Sequence, residues 1–376
     1  MHLAPTDEQQ AVAHEARRFL DAELTRERRL EWDALPAGYD PAFWRAVAEL
    51  GWLGFALPEK SGGQGASLLD LGLLVEECGR AVAPLALFAA WTGGLALQAL
   101  GTPAQKKAWL PAIARGERQV ALAVSERGAA LEPSAMTTTV TRRGRNLVVH
   151  GEKDFVLQGV TADAFLVAGC DGRRGVSVVL VPRDAKGVTV TPLATFAKDR
   201  QSTVRLRQVA LPADALCGTP ATAWPRLEKL RRTFATLLCC DLIGGADTVL
   251  EMTVRYVGER EQFGAKLGTF QAVQQMVAVM AIELEGARHV ARQALWRLAE
   301  GLPSEREIAI AKAWVGRAYR EITLMAHQLH GGAGYVVEHP LHRHTLRAKQ
   351  AELLFGSSED WLDTLADQLR LAPRVA

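Results

Sequence analysis

The period of the apolar positions changes twice along the chain. In the first third, apolar residues recur at helical spacing, as Phe43, Val47 and Leu50 do after Asp40-Pro41. Thr6 with Gln9 spells a capping box, and Asp40-Pro41 an N-cap followed by proline at the first helical position. Thr102-Pro103-Ala104-Gln105 repeats that logic, and Gly116 closes its helix. From Gln119 to about Leu211 the chain turns to short alternating or β-branched runs: Gln119–Val124, Thr137–Arg142, Asn146–His150, Ala164–Ala168, Val176–Val181, Val188–Thr191 and Ser202–Leu206. Glycine turns separate several of them, at Arg143-Gly144-Arg145 and at Gly172-Arg173-Arg174-Gly175. That spacing predicts a small antiparallel barrel or sandwich. From about Ala223 the helical period returns and persists. Pro225 reads as a helix start, Thr269 as a cap, and Ser304 with Glu307 as another capping box. Long helices suit a bundle.

The expected fold is therefore α+β in three parts: an N-terminal helical domain (1–117), a middle β domain (118–220) and a C-terminal four-helix bundle (221–376). A length of 376 residues exceeds one ordinary core and agrees with more than one domain.

Composition narrows the partners. With 48% hydrophobic and 23% charged residues and a net charge of +2, the chain is globular and not built for nucleic acid. The arginine pairs Arg142-Arg143 and Arg231-Arg232 read as solvated faces or an anion contact. Cys78, Cys170, Cys217, Cys239 and Cys240 are scattered, without CxxC spacing, so neither a disulfide framework nor a zinc site is indicated and a reducing, cytoplasmic setting is expected. MHLAPTDEQQ has no secretory pattern. The uncharged span Ala81–Gln105 contains Pro84, Gly93-Gly94 and the break Gly101-Thr102-Pro103, which predicts a buried helix pair and no membrane span.

Two motifs carry chemistry. In Tyr256–Gln274, an arginine followed by Gln262-Phe263-Gly264 at a helix end is able to clamp an anion beside an aromatic shelf; a plain helix–loop–helix joint has the same pattern. Gln328–Gly334, QLHGGAG, lets a ligand approach the backbone closely, or simply ends a helix. No strand precedes it, so a dinucleotide loop of the Rossmann type is excluded. His330, His339, His342 and His344 match no zinc spacing and read as solvated loop residues, with no metal expected.

These motifs resemble those of the acyl-CoA dehydrogenase family along nearly the whole chain. FWRAVAELGWLGFALPEKSGGQGASLLDLGLLVEECGRA resembles its first helical domain, AWLPAIARGERQVALAVSE the entry to its β domain, and Gln328–Asp360 its C-terminal signature. The resemblance implies an FAD-dependent enzyme of helical, β-barrel and helical parts, assembled as dimers or tetramers. It implies desaturation of acyl-CoA thioesters at Cα–Cβ, with electrons passed to electron-transfer flavoprotein. It further implies an FAD that crosses a subunit interface, its ADP half held by the neighbour. The residues matching that clamp are Arg260, Phe263, Leu267, Phe270, Gln271, Gln328, Gly331 and Gly332.

The side facing the flavin ring and substrate departs from the family's pattern. Its Thr-Glu-Pro-x-Ala-Gly-Ser-Asp stretch appears as Ser125-Glu126-Arg127-Gly128-Ala129-Ala130-Leu131-Glu132. Ser125 keeps a hydrogen-bonding hydroxyl and Leu131 replaces a serine. The family's Trp-x-Thr appears as Phe155-Val156-Leu157. The catalytic glutamate before Gly356-Ser357 is Phe355, and the alternative base position on the first bundle helix is Phe234. A phenyl ring accepts no proton. The expectation is a non-catalytic subunit of a hetero-oligomeric dehydrogenase that clamps a partner subunit's FAD. The alternatives are a self-sufficient homo-oligomer with a relocated base such as Glu352, placed one turn before Phe355 though read mainly as a solvated residue, and a non-redox scaffold.

Overall fold

The computed structural model describes residues 5–128, 132–172 and 175–371. Six helices come first: α1 (Asp7–Glu23), α2 (Arg26–Ala34), α3 (Pro41–Glu49), α4 (Leu68–Arg80), α5 (Ala86–Leu100) and α6 (Pro103–Ala114). The strands β1 (Val120–Ala123), β2 (Thr139–Arg143), β3 (Asn146–Leu157), β4 (Ala164–Cys170), β5 (Val176–Pro182), β6 (Val188–Leu193), β7 (Gln201–Pro212) and β8 (Leu216–Cys217) follow. The chain then forms α7 (Pro220–Glu259), the short strands β9 (Glu261–Gln262) and β10 (Ala265–Lys266), α8 (Gln271–Ala299), α9 (Glu305–His330), α10 (Leu341–Leu353) and α11 (Ser358–Gln368). It divides into two compact units, one of Met1–Leu24, Ser67–Ala83 and Arg231–Ala376, the other of Thr25–Ala66 and Pro84–Leu230.

The second unit holds the sheet. Its strand order is β6-β7-β3-β2-β4-β5-β8, with β1 on β4. Alternate residues of facing strands fill one apolar core, including Val149, Phe165, Val167, Val179, Val181, Val204 and Leu206. The pairing is not wholly antiparallel as the spacing predicts: β1 runs parallel to β4, and β2 meets β4 in parallel at Thr139 and Cys170. No hairpin links either pair, so the turn chemistry that enforces antiparallel order is absent there. β3 runs past its predicted end at His150 to Leu157, because it stays paired with β7 across register shifts between Val149 and Gly151 and between Lys153 and Val156 that break the alternation in the sequence. The turn predicted at Gly172–Gly175 includes residues 173–174, which lie outside the described residues. The uncharged span before the sheet forms the buried α5, followed by α6, whose capping box joins Thr102 and Gln105.

The first unit is helical. Here α4 crosses α7 at backbone contact. A Cβ on Gly79 would stand 1.9 Å from the Asp241 carbonyl oxygen, and one on Gly244 would stand 1.9 Å from that of Glu76. Two predicted helix starts shift, and at the third, where Ser304 does precede α9, the predicted cap is missing. α7 begins at Pro220, with Pro225 inside it. α8 begins after Phe270, because the Thr269 hydroxyl donates back to the Lys266 carbonyl and does not cap. Ser304 and Glu307 form no capping box: Ser304 makes no side-chain cap, and Glu307 is engaged by Arg297 and Arg306. By length and composition Thr222–Glu259 is apolar enough to cross a membrane, but 83% of its apolar window is buried inside the protein.

Candidate functional site

At the C-terminal end of α10 the helix stops at Leu353, and Phe355 takes a left-handed backbone (φ 59°) before Gly356 (φ 105°). Three side chains hold this turn. The buried Lys312 ammonium donates to the carbonyls of Ala351 (3.2 Å), Glu352 (2.8 Å) and Gly356 (2.9 Å). Its three N–H groups thus meet three acceptors. Trp361 donates through its indole N–H to the Phe355 carbonyl at 3.2 Å, and Arg231 donates to the same oxygen at 3.4 Å. The Arg231 guanidinium also lies 4.3 Å over the Trp361 ring, so it is no solvated face. Burial pushes the Lys312 amine down to about 8.

Phe355 and Phe234 meet ring to ring, with centroids 5.6 Å apart, and Phe234 is fully buried. Glu352 is not on a solvated face. It is buried, its carboxylate accepts from Lys349 at 3.0 Å, and the end of α10 at Leu353 removes the helical relation to Phe355. Asp360 is occupied in capping α11 through Ser357.

A second group lies where α7 ends. Arg260 is exposed, and its carbonyl accepts from the Leu267 amide at 2.8 Å. Strands β9 and β10 pair Gln262 with Ala265, leaving Phe263 (φ 57°) and Gly264 (φ 78°) as a two-residue loop. Positive φ at both positions marks a type I′ turn. The turn displays the Phe263 ring, 92% exposed, with Phe270 edge-on at 6.3 Å. Gln271 opens α8 and is exposed. Tyr256, one turn before Arg260, stacks on His330 at 4.4 Å, which brings the ends of α7 and α9 together. Gln328, Gly331 and Gly332 are exposed there. A Cβ on either glycine would meet nothing within 4 Å, so the backbone is open to close approach.

The histidines depart from the expectation of solvated loop residues. His330 and His344 are buried, and His344 shares a 2.8 Å hydrogen bond with Tyr319. Aromatic neighbours draw these rings inward, a contact that loop spacing does not reveal. Among the described residues no group of three or more His, Cys, Asp or Glu is placed to hold a metal ion.

In the second unit, Ser125 is exposed just beyond β1, its carbonyl accepting from the Asp154 amide at 3.0 Å. Beside it, Glu126 pairs with the fully buried Lys153 at 2.7 Å. Burial alone would raise the Glu126 carboxyl, but hydrogen bonds from Lys153, Thr137 and Thr138 hold it down at about 2. Phe155 sits at the bulge of β3 with φ 58° and is half exposed; Leu157 ends the strand. Leu131 lies outside the described residues.

Sequence reasoning passed over Lys312, Trp361 and Lys153. The signal for Lys312 was available: a single cation in the apolar run IAIAKAWVG, on the stripe of Ile308, Ala311 and Val315.

Comparison with known proteins decides the family. Family models described as the N-terminal, middle and C-terminal domains of acyl-CoA dehydrogenase match residues 6–117, 121–209 and 233–370. The chain belongs to the acyl-CoA dehydrogenase family. That family comprises FAD-dependent oxidoreductases. Among its curated members, acyl-CoA dehydrogenase FadE27 of Mycobacterium tuberculosis is 30% identical over 367 residues, covering 94% of this chain and 95% of its own. Among solved structures, the ChsE4-ChsE5 complex from Mycobacterium tuberculosis superposes with a TM-score of 0.90 at 29% identity, covering 99% of this chain and 100% of that one. A variant of the Tcur3481-Tcur3483 steroid ACAD gives 0.87 at 31%, covering 97% and 98%. These acyl-CoA dehydrogenase relatives match the order found here: a helical N-terminal part, a middle β domain and a helical C-terminal part.

Proposed function

We propose that this chain is the subunit of a hetero-oligomeric acyl-CoA dehydrogenase that grips the FAD of a partner subunit and does not itself remove the substrate proton. The observation that carries this reading is the Phe234–Phe355 pair. Both positions at which the family resemblance implies a carboxylate base hold phenyl rings packed 5.6 Å apart. Neither ring accepts a proton, and the buried carboxylate nearby, Glu352, is occupied by Lys349.

The clamp residues fit an ADP moiety. Arg260 offers fixed donors to a phosphate, and Phe263 and Phe270 an aromatic shelf. Gln271 and Gln328 add amide donors and acceptors. Gly331 and Gly332 admit a close backbone approach, and Leu267 contributes apolar contact. In the second unit, the exposed Ser125 offers its hydroxyl to a flavin edge. FAD, when bound, supplies the hydride acceptor for Cα–Cβ desaturation of an acyl-CoA thioester. This chain's own residues would bind and orient its nucleotide end, while the base comes from the partner and electrons leave to electron-transfer flavoprotein. The similarity to a chain of the ChsE4-ChsE5 complex supports this assignment.

The test begins with the tagged chain purified alone and with whatever acyl-CoA dehydrogenase subunit co-purifies with it. Alone it is expected to carry little flavin and to leave acyl-CoA unchanged; with its partner it is yellow and active. In the complex, Arg260→Ala removes charge-assisted hydrogen bonds worth about 1.5–3 kcal/mol each, a roughly 10- to 100-fold weaker hold on FAD. A lone chain that is replete with flavin and desaturates a thioester would end this reading, as would unchanged flavin retention in the variant complex.

A further inference from the structure

A ladder of aromatic rings lies beneath the turn Gly331–Tyr335, and the functional reading above leaves it unused. Tyr256 of α7 stacks on His330 at 4.4 Å, His330 meets His339 edge-on at 4.8 Å, and His327 stacks on Tyr335 at 4.4 Å. His327 and His330 are buried.

Hydrogen-bond partners fix the neutral tautomers. His330 Nδ1 lies 2.9 Å from the Ala326 carbonyl, which can only accept, so Nδ1 carries the proton and Nε2 is bare. Thr345 spends its single proton on the Leu341 carbonyl, so His327 Nε2, 2.8 Å from the Thr345 oxygen, must donate, leaving Nδ1 bare. Both bare nitrogens, His330 Nε2 and His327 Nδ1, are buried without a hydrogen-bond partner among the described residues. His339 accepts at Nδ1 from the Leu341 amide. An idle lone pair is tolerable in this setting. An N–H on a cationic ring, buried without an acceptor, is not.

We propose that His327, His330 and His339 form a proton-operated latch: neutral rings hold the Gly331–Tyr335 turn closed, and protonation of the ladder opens it. The titratable neighbours facing the ladder are Tyr256 from α7, Tyr335 from the turn, and His342, which donates to the His339 carbonyl. Glu338 and Arg343 lie in the same segment, each with an interaction of its own. The tyrosine faces favour a cationic ring. Burial and then mutual repulsion nevertheless hold His327 and His339 below the ordinary 6.5, and burial does the same for His330 against the Ala326 hydrogen bond. The closed turn is thus the state of the neutral rings.

The latch rests on this chain's geometry; only its consequence for FAD rests on the reading above. Hydrogen exchange of residues 331–341 in the full chain, corrected for intrinsic rates, tests it between about pH 7.5 and about pH 5.5. Protection is expected to fall about tenfold in the wild type. In His330→Phe, which keeps the stack on Tyr256 but takes no proton, the fall is expected to be under about threefold. Unchanged wild-type protection overturns the latch, and so does a full fall in the variant. Should the variant not fold, the wild type decides: loss of protection at 331–341 that tracks the titration of the three ring resonances supports the latch, and rings that titrate while protection stays flat overturn it. If exchange behaves as expected while the complex keeps its FAD equally well across that range, the clamp assignment fails and the latch stands.

Discussion

Phe355 occupies a backbone conformation that phenylalanine rarely adopts, and its neighbours explain why it stays there. A left-handed non-glycine residue costs on the order of 1–3 kcal/mol and persists only where its surroundings over-determine it. Lys312, Arg231 and Trp361 provide that surplus by binding the carbonyls around it. Lys312 thereby becomes testable through pH. Its pKa in the fold, about 8, lies below the 10.5 of an unfolded lysine. Between these values the unfolded chain keeps a proton that the folded chain has released, so raising pH favours the fold. Stability of the wild type minus that of Lys312→Met is expected to rise by up to about 3 kcal/mol across this window. Taking the difference cancels the other groups that titrate there. Urea unfolding at several pH values measures it; a flat difference would show that the amine is not perturbed.

At the scale of elements, α7 contrasts two glycines in one helix. Gly244 touches the backbone of α4, and a methyl there has no room. Gly258, near the exposed end of α7, would place a methyl in open space. Gly244→Ala is therefore expected to destabilise the chain by about 1–3 kcal/mol or more, and Gly258→Ala to stabilise it by up to about 1 kcal/mol through helix propensity. Thermal unfolding reads both. Equal effects would mean that the α4–α7 crossing yields to a methyl that would otherwise stand 1.9 Å from the Glu76 carbonyl oxygen. Which glycine matters was not visible in the chain, because GGAD and VGER both look like weak points of one helix.

On the scale of the whole molecule, the chain presents a large aromatic side chain to solvent at the tip of a tight turn. Phe263 is 92% exposed at a left-handed position. Phe263→Asn suits that turn position and is expected to stabilise the lone chain by about 1 kcal/mol while lowering flavin retention in the complex. Melting of the lone variant and flavin content of the complex separate the two effects; a loss in the lone chain would refute the turn assignment. The family, the order of helical, β and helical parts, the capping boxes at Thr6 and Thr102 and the unusual residues at 234 and 355 were all legible in the sequence. Each is a matter of local spacing or residue identity, and local chemistry does not wait for the fold. The parallel pairing of β1 on β4, the contact of Phe234 with Phe355 across 121 positions, the burial of His330 and the three carbonyls around Lys312 were not. Those depend on which distant segments share a wall, and only the packed chain decides that.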